Sequence, residues 1–212
     1  MKKLTIALGL IAFVSAAPLG HAEDVARFPP LKAEDLTAPQ KAFADKLTAP
    51  PRNGKFVNPP YRAYIHSPEL AERLTALADY LRWHTSLPPR LSELAILITA
   101  RQWTAQYEWY AHYPQALKGG LDPDVAAAIA AGKRPEGMKD DETALYDLAT
   151  SLYRDRKVTD AVYKAALDKF GERGIMDIIG IIGFYDITSM TLITMQAGVP
   201  DGKPLPLPVL TK

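Results

Sequence analysis

Three ionisable residues, Glu93, Glu108 and His112, lie in a largely apolar stretch whose pattern predicts a helix. Burying a carboxylate or an imidazole costs free energy unless another group pairs with it or uses it. If this chain carries out chemistry, we therefore expect the reaction in this stretch, residues 91–120.

Glu108 and His112 are four positions apart, so on a helix their side chains share one face and can form a hydrogen bond. A carboxylate beside an imidazole selects one tautomer and raises the imidazole pKa, which suits a general acid or base near neutral pH. The same spacing also occurs in solvated surface pairs. The spacing alone therefore leaves a structural role open.

Glu93 is the third candidate catalytic residue, but on a straight helix it would lie about 22 Å from Glu108 at 1.5 Å per residue. The two carboxylates meet only if the helix breaks between them or if a neighbouring chain supplies one of them. The simplest structural role for Glu93 is that of a first-turn acid, which stabilises the start of a helix.

Substrate-binding candidates lie on the same stretch. The planar guanidinium of Arg101 is suited to holding a substrate carboxylate, or it pairs with Glu93 or Asp186. Trp103, Tyr107 and Trp109 either line an aromatic pocket or belong to the core.

Metal and thiol chemistry find little support in the composition. The chain contains no cysteine, which excludes a thiolate or dithiol mechanism within it. Beyond residue 22 the histidines are His66, His84 and His112, and only the Glu108/His112 pair has the spacing of two metal ligands. We therefore expect no metal and no other cofactor.

Apolar residues at spacings of three and four predict helices throughout, and no stretch alternates with period two. Capping signals include Ser67-Pro68-Glu69, Ser92 and Asp122-Pro123, and Gly119-Gly120 ends the central helix. The fold class that we predict is all-α, a compact multi-helix bundle behind an irregular proline-rich arm. The helices are expected near residues 39–47, 67–84, 91–118, 122–131, 141–155, 159–170 and 175–196.

Four segments follow from the distribution of charge, proline and apolar residues: a signal peptide at 1–22, an N-terminal arm at 23–60, the helical domain at 61–200 and a tail at 201–212. The arm either wraps along a surface or reaches a neighbour, with a loosely ordered leader as the alternative. The tail is expected outside the domain. The last helix is apolar on nearly all sides, so we expect other helices or another subunit around it.

Residues 1–22 contain two lysines, a short apolar run and a small-residue end, which is typical of a secretory signal peptide. We predict cleavage after Ala22 and a periplasmic location, with an uncleaved anchor or a buried helix as alternatives. Removing this segment changes the formal net charge from +1 to −1, which argues against a nucleic-acid or anionic-membrane partner. No membrane span is expected after the signal is removed.

The order Glu93, Ala105, Glu108, His112, Ala116, Gly120, followed by a helix start at Leu121-Asp122-Pro123, resembles the signature of the carboxymuconolactone decarboxylase and alkylhydroperoxidase D-like superfamily. The resemblance covers roughly residues 61–200. It implies an all-helical domain that assembles into dimers, trimers or hexamers. Glu93 and His112 match the superfamily's acidic residue and its proton-transferring histidine.

The departures from that signature narrow the implied activity. The two cysteine positions of the redox branch fall on Ala105 and Glu108, so thiol peroxidase activity does not carry over. The run Tyr107-Glu108-Trp109-Tyr110-Ala111-His112 resembles the cysteine-free members. The superfamily's helix break would fall near residues 102–104, where this chain has neither glycine nor proline.

Two functions remain open. The first is a cofactor-independent proton-transfer enzyme, such as a decarboxylase-like or lactone-converting lyase, an isomerase or a hydrolase, that acts on a small organic acid or lactone through His112, Glu108 and Glu93. The second is a non-catalytic oligomeric or ligand-binding periplasmic protein on the same scaffold.

Overall fold

The computed structural model describes residues 27–200 and 203–210, so the predicted signal peptide lies outside the described residues. All regular elements of the described ranges are helical, which confirms the all-α prediction. A short 3-10 turn, Ala33–Asp35, precedes eight helices: α1 Ala38–Thr48, α2 Tyr61–Tyr64, α3 Pro68–Trp83, α4 Pro89–Trp103, α5 Gln106–Lys118, α6 Pro123–Ala130, α7 Asp140–Thr150 and α8 Asp160–Thr194.

Helix α4 is the centre of the bundle, and ten of its residues are buried. It contacts α5, α6, α7 and α8. The helix begins with Pro89 in its first turn, so the prediction that Ser92 caps it is wrong. Proline suits that position because its fixed φ is helical and its missing N–H would have no partner there. Glu93 consequently lies in the second turn and is not a first-turn acid.

Helices α4 and α5 are separated by a tight break. Thr104 adopts the left-handed conformation with φ 53° and ψ 38°. The Thr104 amide donates to the Arg101 carbonyl at 3.0 Å, and the Ala105 amide donates to the Ala100 carbonyl at 2.8 Å. These two bonds form a Schellman motif, which usually has glycine at the left-handed position. The helix therefore breaks at the predicted place, with a threonine where glycine was the expected signal.

Helix α8 is interrupted at Gly171, whose φ of 63° and ψ of 177° separate two helical halves. This matches the predicted turn between two helices. By length and composition α8 is long and apolar enough to cross a membrane, but more than half of its most apolar window is buried inside the domain. That burial is typical of the core helix of a folded domain.

The N-terminal arm belongs to the main core. Phe43, Ala44 and Leu47 of α1 are buried in the same hydrophobic cluster as α4, and α1 packs on α3. Gln40 Oε1 accepts a hydrogen bond from the Thr37 amide and fixes the start of this helix. The arm is thus a packed part of the bundle and one wall of the cavity described below.

The C-terminal tail is also packed, so the prediction that it lies outside the domain is wrong. Leu207 is 2% exposed and joins the main core. The Gln106 side chain donates to the Leu207 carbonyl at 2.8 Å and accepts from the Leu207 amide at 2.9 Å. Proline-rich composition indicated an extended chain but gave no information about the surface on which that chain packs.

Two amphipathic patterns were only partly right. On α3 the buried residues are Ala71, Leu74, Ala78 and Leu81, whereas Leu70 and Leu77, which follow the same apolar spacing of three and four, are exposed. Helix α7 ends at Thr150, and Ser151–Asp155 continues as a wider π-type turn instead of a regular helix.

Candidate functional site

His112 lies between two carboxylates from two different helices. Its Nδ1 donates to Glu93 Oε2 at 2.6 Å, and its Nε2 lies 3.1 Å from Glu108 Oε1. Glu93 comes from α4, while Glu108 and His112 come from α5, one helical turn apart. The break at Thr104 brings them together, because it turns α5 back along α4. The structure therefore joins all three predicted catalytic residues.

All three side chains are buried, and Glu108 is only 2% exposed. Burial by itself would lower the pKa of His112. The negative charge and hydrogen bond of Glu108, followed by those of Glu93, outweigh that effect and raise the pKa to about 9. At neutral pH the imidazole is therefore protonated, and it holds a proton that it can release to a base.

Glu108 and His112 lie on the wall of a cavity of about 390 Å³. The arm, α2, α3, α5 and α8 all contribute to it, and the lining includes six tyrosine, tryptophan and phenylalanine side chains and two arginines. The lining residues are Pro51, Arg52, Gly54, Pro59, Pro60, Tyr61, Tyr64, Leu74, Thr75, Ala78, Arg82, Trp83, Tyr107, Glu108, Ala111, His112, Phe184, Tyr185 and Thr188. Glu93 is absent from this lining, so it contacts His112 on the side away from the cavity.

Two buried tyrosines flank the proton-carrying residues. The Tyr185 ring lies edge-on to the His112 ring, with centroids 5.1 Å apart. Tyr64 donates to the Thr188 hydroxyl at 3.1 Å, and burial raises the Tyr64 pKa to about 12. Burial also raises the pKa of Tyr185. Both phenols are therefore neutral hydrogen-bonding groups throughout the physiological pH range.

Arg101 is placed differently from the prediction. Its guanidinium donates to the carbonyls of Ala130 at 3.1 Å and Pro208 at 2.8 Å, and to the Thr104 hydroxyl at 2.7 Å. It lines a second cavity of about 530 Å³, between α4, α6, α7 and the tail. Arg101 therefore neither faces the His112 cavity nor pairs with Glu93, and its contacts stabilise the helix break.

The aromatic candidates divide between the cavity, the core and the surface. Tyr107 lines the His112 cavity. Trp109 is buried and stacks on Tyr113, so it belongs to the core. Trp103 is 38% exposed, and its indole N–H donates to Asp186 Oδ1 at 2.6 Å. Asp186 also accepts from Tyr153 at 2.8 Å and does not pair with Arg101.

Arg52, Arg82, Tyr64 and Tyr185 are cavity residues that sequence reasoning did not identify. They come from the arm, α3, α2 and α8, far from residues 91–120 in the chain. Only tertiary packing places them beside Glu108 and His112. Within residues 27–200 and 203–210, no group of three or more His, Cys, Asp or Glu residues has the arrangement of a metal site.

Comparisons with known proteins bear on the fold. Residues 68–151 match the model of the carboxymuconolactone decarboxylase family. A crystal structure of a protein of unknown function from Agrobacterium tumefaciens, whose description names the antioxidant defence protein AhpD, superposes with a TM-score of 0.58. The two share 16% identity, and the match covers 65% of this chain and 95% of that one. No curated protein matches the chain.

Proposed function

We propose that this chain, whose residues 68–151 match the carboxymuconolactone decarboxylase family model and which contains no cysteine, is a cofactor-independent proton-transfer enzyme for a small organic acid or lactone. One observation carries the proposal: a protonated His112 is held between Glu93 and Glu108 at the wall of an aromatic cavity. The position that would be a cysteine in the redox branch is Glu108, which replaces sulfur chemistry with proton transfer.

Glu108 and His112 both face the substrate. Glu93 is a positioning residue that contacts His112 on the side away from the cavity. Loss of carbon dioxide or opening of a lactone leaves an electron-rich carbon or oxygen that must accept a proton. The imidazolium supplies that proton, either directly from Nε2 or through the Glu108 carboxylate beside it. Glu93 fixes the ring through Nδ1 and stabilises its charged form. The cavity volume suits a small molecule.

The test is a panel of small carboxylic acids and lactones supplied to the wild type, His112→Asn and Glu108→Gln. We expect wild-type turnover to fall by about 100-fold or more in both variants, because a general acid contributes about 10²- to 10⁴-fold. His84→Ala is the matched control, since His84 is exposed and does not line the cavity. In D2O, a product that is protonated at carbon should carry deuterium at that carbon.

Equal turnover by the wild type and His112→Asn would remove His112 from the mechanism. Ligands that bind the wild type without any turnover across the panel would contradict the enzyme and favour the non-catalytic binding protein.

The location is a proposal of the same kind. Residues 1–22 have the composition of a signal peptide, so we infer export to the periplasm and a mature chain that begins at Glu23. Mass spectrometry of the protein from a periplasmic extract would contradict this if the N-terminal residues were still attached.

A further inference from the structure

Two arginines line the His112 cavity, and one of them is already neutralised. Arg52 forms an ion pair with Asp79 and donates to the Tyr61 hydroxyl at 2.6 Å. Its guanidinium also lies 5.7 Å from the Tyr61 ring centroid and 5.3 Å from that of Trp83. These contacts satisfy most of its donors, so Arg52 is part of the cavity wall.

Arg82 has a different environment. It forms no ion pair with a carboxylate among residues 27–200 and 203–210. Its guanidinium donates to two neutral oxygens, the Tyr185 hydroxyl at 3.3 Å and Gln115 Oε1 at 2.9 Å. A guanidinium has five N–H donors, so several remain for a ligand. The residue is open to solvent on one side and lines the cavity on the other, which places it at the entrance.

The Tyr185 hydroxyl provides a second donor at this entrance. It accepts its hydrogen bond from Arg82, and within the described part of the chain its own proton has no acceptor at hydrogen-bonding distance. Because burial raises the Tyr185 pKa, the phenol keeps this proton at physiological pH. Tyr185 therefore presents an O–H beside the Arg82 guanidinium, and its ring lies edge-on to His112.

The charges in the cavity explain why this pair of donors matters. Glu93 and Glu108 are two negative charges, and the protonated His112 cancels one of them. The remaining negative charge would repel an anionic substrate at close range. Arg82 is the one cavity cation without a carboxylate partner among the described residues, and it brings the sum to zero.

We propose that Arg82, together with the Tyr185 hydroxyl, binds the carboxylate of a small organic acid and so selects acids as the ligands of this cavity. A planar guanidinium with a neighbouring O–H matches the two oxygens of a carboxylate. The aromatic side chains of the wall, which include Tyr64, Tyr107 and Phe184, favour an acid that carries a planar ring. The inference rests on the proposed function only in taking this cavity as the substrate site.

Benzoate and benzamide are the probes, because they share the planar ring and differ in the charge that Arg82 would recognise. Isothermal titration calorimetry measures their affinities for the wild type, Arg82→Gln, Arg82→Lys and Tyr185→Phe. We expect the benzoate Kd to rise about tenfold or more in Arg82→Gln, which corresponds to about 1.4 kcal/mol. The benzamide Kd should stay constant, Arg82→Lys should be intermediate, and Tyr185→Phe should weaken benzoate by a smaller factor.

Arg73→Gln is the matched control, because Arg73 is an exposed arginine on the same helix whose hydrogen bond and ion pair within the described residues are both with Glu69. It should bind benzoate like the wild type. Equal benzoate affinity in the wild type and Arg82→Gln would overturn the proposal, as would failure of the wild type to bind benzoate at millimolar concentrations. Equal losses of benzoate and benzamide would also overturn it, since they would assign Arg82 to the packing of α3 against α5 and α8.

This measurement needs no turnover, so the proposed enzyme and the proposed carboxylate-binding role of Arg82 can be rejected independently of each other. Benzoate binding that depends on Arg82, without turnover of any panel compound, would reject the proton-transfer enzyme and keep the acid-binding cavity. Turnover that depends on His112, together with benzoate binding that does not depend on Arg82, would support the proton-transfer enzyme and reject the acid-binding role of Arg82.

Discussion

His112 is held at both ring nitrogens, and this determines how a proton can pass through it. Glu93 occupies Nδ1 and Glu108 lies at Nε2, so the ring cannot flip without losing both contacts. When Nε2 releases its proton towards the cavity, a new proton binds at the same nitrogen, or the change in the charge of the ring is shared with Glu93 through Nδ1. Glu93 thus fixes the direction of transfer towards the cavity.

The raised pKa of His112 predicts a specific dependence of stability on pH. The pKa rises from 6.5 to about 9 on folding, so the native state binds the proton more tightly than the unfolded state. This stabilisation is complete below about pH 6.5 and is lost as the pH rises through about 9. We expect the free energy of unfolding, measured with urea, to fall by about 3 kcal/mol across this range.

Glu108→Gln provides the control for this dependence, because it removes the charge that contributes most to raising the His112 pKa. The variant should show a smaller fall in unfolding free energy between pH 6.5 and 9. A wild-type protein whose stability stays constant or rises over that interval would contradict the charged state assigned to His112.

At the level of single residues, the sequence predicted a contact correctly where helical spacing alone determines that contact. Glu108 and His112 are four positions apart on one helix, and helical spacing was enough to pair them. Arg82 and Tyr185 were not predicted as cavity residues, because their contact with each other depends on how α3 packs against α8. Arg101 was misplaced because helical periodicity gives a face of α4 but does not give the direction of a side chain at a helix end.

At the scale of elements, the α4–α5 break is the feature on which the site depends. Thr104 in the left-handed conformation costs about 1–2 kcal/mol relative to glycine. The hydrogen bond from Arg101 to the Thr104 hydroxyl offsets part of that cost. The sequence predicted the place of the break through the family resemblance alone, because local propensity contains no signal at a threonine.

Replacing Arg101 tests this structural role. Arg101→Met removes donors from the Ala130 and Pro208 carbonyls and from Thr104, so the unfolding free energy should fall by about 2–4 kcal/mol. Benzoate affinity in the folded variant should stay within about twofold of the wild type, since Arg101 faces the other cavity.

Arg154→Met is the comparison for that experiment. Arg154 lines the same second cavity but is exposed and pairs with its neighbour Asp155. We expect little change in stability from this substitution. A selective loss of benzoate binding in Arg101→Met, without destabilisation, would restore Arg101 as the carboxylate-binding residue.

Helix positions were predictable because proline, glycine and capping residues mark most of the ends. Asp122 caps α6 by accepting from the Asp124 amide, and Gly120 takes the left-handed position after α5, both as expected. The buried face was less predictable. On α3 the small residues Ala71 and Ala78 allow close packing, so the buried face of this helix contains them and excludes Leu70 and Leu77.

At the scale of the whole molecule, the second half of α8 leaves one apolar face uncovered. Met176, Ile179, Ile187 and Met190 are exposed along it, with Gly183 between them. Their spacings of three and four, with a small residue in the middle, are the pattern of two helices that pack closely. We therefore propose that a second copy of this chain covers this face, in keeping with the homo-oligomer expected from the sequence.

Light scattering after gel filtration tests this proposal. The wild type should have the mass of at least two chains, and Ile187→Lys should lower the mass by placing a charge in the contact. Tyr163→Lys is the control, because Tyr163 is also exposed on α8 but lies before the interruption at Gly171. A wild-type protein with the mass of one chain would contradict the proposal.

The N-terminal arm supplies part of the cavity wall although it lies before residues 68–151, the segment shared with the family. Arg52 and Gly54 of this arm line the cavity, whereas Glu93, Glu108 and His112 lie within residues 68–151. Substitutions in the arm are therefore expected to alter the cavity wall and to leave the proton-transferring residues in place. Part of the cavity wall and the proton-transfer residues therefore lie in different segments of this chain.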